Sequence, residues 1–487
     1  MSAQLASTEK EDISLRALLP PLFAIIVGMI MVILDNTVVN VAIPTLVKDF
    51  HSSLSVVQWT VTGYTLSLSA VIPLSGWLSD KLGAKTLFLL SIALFTLGSV
   101  LCSTADSAGL LITYRIIQGL GGGMVMPVGM AFVYRLAPPD KVGALMGMLG
   151  IPMLLAPAVG PILSGWFVEY STWHWIFLIN LPIGIVGIVF GLLWLPKIAR
   201  KAAAALDVAG MFLGPIAFVA LSYAVNEGGN DGWGATRTIV SLLIGVIVLI
   251  AFVIFELRQR QPLLELKTFR SGNFTRGVIV LWVSQIALFG AIIIVPLYLQ
   301  NVREYSAFHT GLIMLPQAIA AAVFMPIGGR LFDKIGARPL AATGLGAVTA
   351  ALVWLSQINT STPLIETMIP LALMGAGMGM SMMPLNTHVL QAAPRELVSR
   401  VTPLTNAGQQ VMVSFSVAGL TGFLTSRITS NMAAHDSLKA ATISGFSDTY
   451  LLAAAIAMIG FVVSFVVTRP KRLEQGAISA IDVLPTH

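Results

Sequence analysis

From Ala17 to Val47 the chain runs for 31 residues with a single charged side chain, Asp35. That exceeds the roughly 20 apolar residues needed to cross a bilayer as a helix. Hydrocarbon offers no water to backbone N–H and C=O groups, so such a segment is confined to a helix, whose backbone bonds close internally. Thirteen further apolar segments follow, near 57–78, 86–104, 109–134, 142–168, 175–195, 207–225, 237–256, 274–300, 307–330, 339–357, 364–390, 400–427 and 447–468. Hydrophobic residues make up 56% of the chain and charged ones 10%, a balance that no water-exposed globular surface sustains. The sequence thus predicts an all-α polytopic membrane protein with fourteen spans.

An even number of spans puts both termini on one side. Of the 28 Lys and Arg residues, 22 fall on that side, five fall opposite (Lys48, Arg237, Arg303, Arg427, Lys439), and Arg115 lies within a helix. By the positive-inside rule both termini are cytoplasmic, in the plasma membrane of a bacterial type of cell, its inner membrane. The basic residues are spread over short loops and form no single patch, so nucleic acid is not an expected partner. The first apolar run is too long for a signal-peptide core and lacks a persuasive cleavage site, so it is expected to be retained. Cys102 stands alone, which excludes an internal disulfide and a thiol metal cluster, and the six histidines, His388 among them, show no metal-ligand spacing. No metal or cofactor is expected. Gly83-Ala84-Lys85-Thr86 lacks the spacing of a phosphate-binding loop, so the chain is not expected to be an ATP-hydrolysing enzyme. An ion gradient, or that of the substrate itself, remains as the energy source.

One sentence is written twice. Gly76-Trp77-Leu78-Ser79-Asp80-Lys81-Leu82-Gly83-Ala84-Lys85 follows the second span, and Gly329-Arg330-Leu331-Phe332-Asp333-Lys334-Ile335-Gly336-Ala337-Arg338 follows the tenth. Gly, Asp, Lys and Gly recur at the same offsets, as expected of two homologous six-helix halves with helices seven and eight inserted between them. The expected organisation is a cytoplasmic segment over 1–16, a first half over 17–200, a two-helix insert over 201–270, a second half over 271–470 and a tail over 471–487.

Leu34 to Pro44 reads L-D-x-T-V-x-N-V-A-x-P, and Gly76 to Gly83 reads G-x-L-x-D-x-x-G. Arg115, Gln118 and Gly119 form R-x-x-Q-G, Pro157, Gly160 and Pro161 form P-x-x-G-P, and Asp207 with Gly210 forms D-x-x-G. Trp173-His174-Trp175-Ile176-Phe177-Leu178-Ile179-Asn180-Leu181-Pro182 is similar to a W-R-W-I-F-x-I-N-x-P run. On these residues the chain resembles the major facilitator superfamily over nearly its whole length, and within it the fourteen-helix drug:proton antiporters. The resemblance implies a major-facilitator-type fold, proton-coupled multidrug efflux and, through the fifth-span motif, antiport. His174, Ala156, Ser164 and Gln409 depart from the family pattern. Relatives that export divalent cations add acidic residues in the second half, whereas 312–328 and 401–426 contain none, so such substrates are disfavoured.

Each candidate has a plainer reading. Asp35 could serve only as a hydrogen-bonding residue beside Asn40, yet a carboxylate is a costly choice in hydrocarbon and marks an ion or substrate pathway by default. Arg115 lies at a similar depth, roughly 14 Å along its helix from Asp106, and needs a carboxylate, a carbonyl or water if buried. Gln118 shares its face one turn on, and Asn36 and Asn40 complete the proton-coupling and substrate candidates. Gly76, Asp80, Lys81, Gly83, Gly329, Asp333, Gly336 and Arg338 are candidates for a cytoplasmic gate. There glycines permit close backbone approach, and the Asp accepts from a helix N-terminus or pairs with an Arg. A topogenic turn explains one copy but not two. Pro157, Gly160, Pro161 and Gly165 are expected to bend the fifth span and allow close packing. Met374, Met378 and Met382, interleaved with glycines, are candidates to line an adaptable substrate cavity, with gap-filling as the plainer role.

The expected activity is proton-coupled export of lipophilic compounds, cationic ones foremost, by alternating access of the two halves. Expected partners are protons, hydrophobic small molecules and the bilayer; an outer-membrane efflux assembly is not indicated. A proton-coupled transporter of a specific metabolite, exporter or importer, shares fold and carboxylate, and a non-transporting receptor would have no use for duplicated gate loops. The topology predicts that single cysteines placed at 227–233 react with an impermeant maleimide from outside intact cells. Labelling only in inverted vesicles would overturn the arrangement.

Overall fold

The computed structural model describes residues 15–138, 141–197, 208–230, 232–259, 262–432 and 437–467. The first six predicted spans appear as α1 (Leu15–Asp49), α2 (Leu54–Val71) with α3 (Ser75–Leu82), α4 (Ala84–Cys102), α5 (Ala108–Leu136), α6 (Val142–Tyr170), and α7 (His174–Leu178) with α8 (Asn180–Trp194). Then come α9 (Val208–Asn230) and α10 (Thr236–Arg258). The last six are α11 (Gly272–Asn301), α12 (Ala307–Ile335), α13 (Ala337–Leu355), α14 (Leu364–Gln391), α15 (Val398–Met432) and α16 (Leu438–Ser464). The helices follow the predicted segments in order. Among the described residues, eleven helical segments are long and apolar enough to cross a membrane, and α9 adds a shorter apolar core over Ala209–Val225.

Two predicted spans are interrupted. Pro73 has no N–H to give and starts a 3-10 turn over Ile72–Leu74 between α2 and α3. At Ile179, itself helical in its backbone angles, one helix gives way to the next, and Asn180 stands at the start of α8. The last helix begins at Leu438, nine residues before the predicted 447, because hydropathy reports the part in hydrocarbon and not the helix end. Ser437 caps it, its side chain accepting from Ala440 N at 3.2 Å.

The same five pairings hold each half together. In the first, α1 packs on α6 and α8, α5 on α2 and α4, and α4 on α8; in the second, α11 packs on α15 and α16, α14 on α12 and α13, and α13 on α16. Counted in chain order within each half, these are the same pairs, so the internal repeat seen in two loops extends to the packing. Helix α9 lies between the halves, against α2 and α15. Trp59 stacks on Tyr223 with centroids 6.0 Å apart, the Ser69 and Ser222 hydroxyls meet at 3.3 Å, and one apolar cluster joins Ile72, Phe218, Phe252 and Leu404.

Lipid tails are as apolar as Leu, so burial alone does not drive these helices together, and close backbone approach does. At the α13–α14 crossing, a Cβ on Gly344 would meet Gly377 O at 2.5 Å, and one on Gly377 would meet Gly344 O at 2.5 Å. Gly377→Val should therefore force the pair apart and cost about 1–3 kcal/mol. A melting temperature in detergent equal to that of the wild type would show that this crossing does not set the spacing.

Candidate functional site

Asp35 and Arg115 are brought together at zero exposure. Arg115 Nη1 donates to Asp35 Oδ2 at 2.5 Å and to Gln118 Oε1 at 2.7 Å. Gln118 sits three residues on along α5, on the same face, and its Nε2 donates to Asp35 Oδ1 at 2.8 Å. Asn180 Nδ2 donates to the same oxygen at 2.8 Å and to Ser99 Oγ at 2.9 Å, and Ser99 Oγ donates to Phe177 O at 2.9 Å. Arg115 Nε reaches Thr60 O at 3.2 Å, and its guanidinium lies 3.9 Å from the centre of the Tyr64 ring. Helices α1, α2, α4, α5 and α8 thus all contribute to one charged cluster.

Its chemistry follows from the donors. Every contact to Asp35 donates onto it, and an ionised carboxylate accepts only. A proton on either oxygen would displace one of these donors and loosen the pair with Arg115, which stays charged. Of the predicted residues, Asp35, Arg115 and Gln118 meet. Asn36 is exposed, and the Asn40 side chain is outside the described set. Asn180, Ser99, Thr60 and Tyr64 were not anticipated. Asn180 had a signal, since it belongs to the Trp173–Pro182 run.

The two copies of the repeated loop meet the opposite half in matching fashion. A Cβ on Gly76 would overlap Ser399 O, at the second residue of α15, and a Cβ on Gly329 would overlap Gly143 O, at the second residue of α6. Four residues after each glycine comes the aspartate. Asp333 caps α6, Oδ1 accepting from Gly143 N at 2.9 Å and Oδ2 from Ala144 N at 3.1 Å. Asp80, 6% exposed, instead lies 3.5 Å from Arg135 Nη2 and 3.7 Å from Arg400 Nε. Both arrangements, a helix cap and pairing with Arg, thus occur among the two copies. Gly83 and Gly336 turn the chain at φ of +90° and +82°, a region that favours glycine. Exposed Lys81 lies 4.6 Å over the Trp77 ring. Lys85 binds Leu192 O at 2.8 Å and Leu195 O at 2.6 Å, while its counterpart Arg338 stands 5.6 Å from the Phe465 ring.

Other expectations fare differently. Helix α6 runs unbroken from Val142 to Tyr170, and the side chains of Pro157 and Pro161 lie outside the described set. Gly160 does allow close packing, since a Cβ there would overlap Thr37 of α1, but Gly165 faces open space. Asp207 falls outside the described residues. Met374, Met378 and Met382 pack as core residues in this conformation, the plainer of the two roles. They are 0–1% exposed in the apolar core of the second half, while the interleaved Gly375, Gly377 and Gly379 let Gln317, Gly344 and Ala321 of neighbouring helices approach closely.

A bundle of two matched six-helix halves, with a buried ion pair within one and paired loops between them, has the architecture of a membrane transporter. The Major Facilitator Superfamily profile matches residues 25–417, and the chain belongs to that family. It is 36% identical over 406 residues to a multidrug resistance protein B homolog of Mycobacterium tuberculosis, covering 82% of this chain and 75% of that one. It is 31% identical over 463 residues to the lincomycin resistance protein LmrB of Bacillus subtilis, covering 93% and 96%. Among solved structures, the human organic anion transporter MFSD10 superposes with a TM-score of 0.65 at 12% identity, covering 91% and 99%. The proton:xylose symporter XylE does so at 0.60 and 15%, covering 90% and 95%.

If the loop contacts hold the halves together at one end, Asp80→Asn and Asp333→Asn should each lower turnover more than substrate affinity. Transport rates equal to the wild type at normal abundance would reduce both residues to turn formers.

Proposed function

We propose that this chain is a proton-coupled antiporter that exports lipophilic, chiefly cationic, drugs or toxic compounds across a bacterial inner membrane, with both termini cytoplasmic. The observation that carries the reading is the Asp35 cluster: a carboxylate at zero exposure whose partners are all donors and one of which is a permanent cation. The names of the two relatives, one for multidrug and one for lincomycin resistance, support drugs as substrates and export as the direction.

The packing supports a cycle. Close contacts between the halves gather at the end that bears the repeated loops: Gly76 on Ser399, Gly143 on Gly329, Gly147 and Gly150 on Met325. With that end cytoplasmic, the state described is closed inward. Protonation of Asp35 from outside would loosen Arg115 and, with it, the tie from α1 to α5. Release of the proton inward would restore the pair. One charge moved through about 100 mV supplies about 2.3 kcal/mol, enough for roughly a fifty-fold gradient of a neutral substrate, so one coupling carboxylate suffices.

Asp35→Asn should abolish uphill export driven by a pH difference alone in proteoliposomes. It also leaves Arg115 with neutral partners, Gln118 Oε1 and Thr60 O, at a cost of about 3–5 kcal/mol. Asp35→Asn combined with Arg115→Gln removes both charges and should regain stability without regaining uphill transport. If either variant still concentrates substrate against its gradient, Asp35 is not the coupling site. Energised inverted vesicles separate exporter from importer, since an exporter accumulates substrate within them.

A further inference from the structure

The second half holds a buried polar row that the coupling mechanism does not use. Gln285 of α11, Gln409 of α15 and Asn386 of α14 are 2%, 9% and 3% exposed. Gln285 Nε2 donates to Gln409 Oε1 at 2.8 Å, Gln409 Nε2 to Asn386 Oδ1 at 2.9 Å, and Asn386 Nδ2 to the carbonyl of Met382 at 3.0 Å. The last acceptor is a backbone carbonyl, which cannot donate, so the direction of the whole row is set from that end and does not depend on how any one amide is drawn. Every amide therefore turns its NH2 towards Met382, and the opposite end of the row is an oxygen, Gln285 Oε1. It is buried and accepts from no described residue. Because each amide in such a row polarises the next, an oxygen at its head is a stronger acceptor than that of an isolated Gln.

The helices that carry the row also reach the first half. Helices α14 and α15, which it bridges, are in contact with the first half, α14 through α6 and α15 through α3 and α5. Leu281, one turn before Gln285, belongs to the apolar cluster that includes Met124 and Val125 of α5. A mere tie between three helices would not need a buried acceptor left over.

We propose that Gln285 Oε1 is a substrate-binding acceptor that selects, among lipophilic compounds, those carrying an N–H or O–H donor. The inference rests on the exporter reading above and adds a division of labour: charge is sensed in the first half and donor groups in the second. Ethidium and tetraphenylphosphonium test it, since both are lipophilic monocations, but the first carries two aryl amines and the second has no N–H or O–H. Binding is measured on the full-length protein in nanodiscs.

Gln285→Met preserves shape and removes the acceptor. It should weaken ethidium about tenfold and leave tetraphenylphosphonium within about twofold. Equal loss of both ligands would mark the row as structural, and unchanged ethidium binding would remove Gln285 from the site; either result overturns the proposal. The wild-type protein gives a second test that needs no variant. Ethidium with both amines dimethylated should bind about tenfold more weakly than ethidium itself, and equal affinity would refute the donor requirement. A wild type that binds neither cation would instead sink the exporter reading, and this inference with it.

Discussion

Arg115 is the constraint around which the first half is arranged. A guanidinium cannot shed its charge in practice, and in a bundle surrounded by hydrocarbon it must be answered by groups brought from other helices. Asp35 answers it from α1, Thr60 and Tyr64 from α2, and Gln118 from its own helix. Asn180 then holds the far side of the carboxylate and ties it to Ser99 on α4. The polar contacts that unite these helices are therefore the same ones that a proton would disturb. On the proposed function, stability and coupling draw on one set of atoms, so a substitution there would change both.

Symmetry explains much of the rest. Two halves with the same five helix pairings present their loop glycines to equivalent second residues of α15 and α6. The aspartates four residues beyond those glycines have different surroundings. Asp333 meets bare N–H groups, because Gly143 and Ala144 leave the α6 N-terminus open, while Asp80 has the side chains of Arg135 and Arg400 close by and takes them. One carboxylate type on one scaffold caps a helix in one copy and stands beside two arginines in the other.

The bilayer made the class readable in the chain. In an apolar background a charge stands out, so Asp35 and Arg115 could be singled out, and helical spacing added Gln118. The repeat was visible because glycine and aspartate recur at fixed offsets. Asn180 was not readable as a partner of Asp35, since an uncharged amide carries no such signal and 145 residues separate the two. Arg135 and Arg400 were visible only as topogenic charges; positive charge tells the side of the membrane, not which carboxylate lies opposite. The methionines of α14 showed adaptability, but only packing decides whether they meet a cavity or a neighbouring helix. The polar row of the second half escaped for the same reason as Asn180: its three amides sit on three separate helices.

Helix α9 makes the twofold arrangement lopsided in mechanical terms. On one flank the halves bear on each other through α6 and α12; on the other, beside the direct contact of α3 with α15, α9 is seated between α2 and α15. A body wedged between two others cannot keep both contacts once they part. Any rocking of the halves must slide α9 along one of them, across the Ser69–Ser222 hydroxyl pair and the Trp59–Tyr223 stack or across its apolar face on α15. On the proposed cycle the flank that holds α9 would have to slip where the other need not, so the load would fall unequally on two flanks that the repeat alone would have made alike.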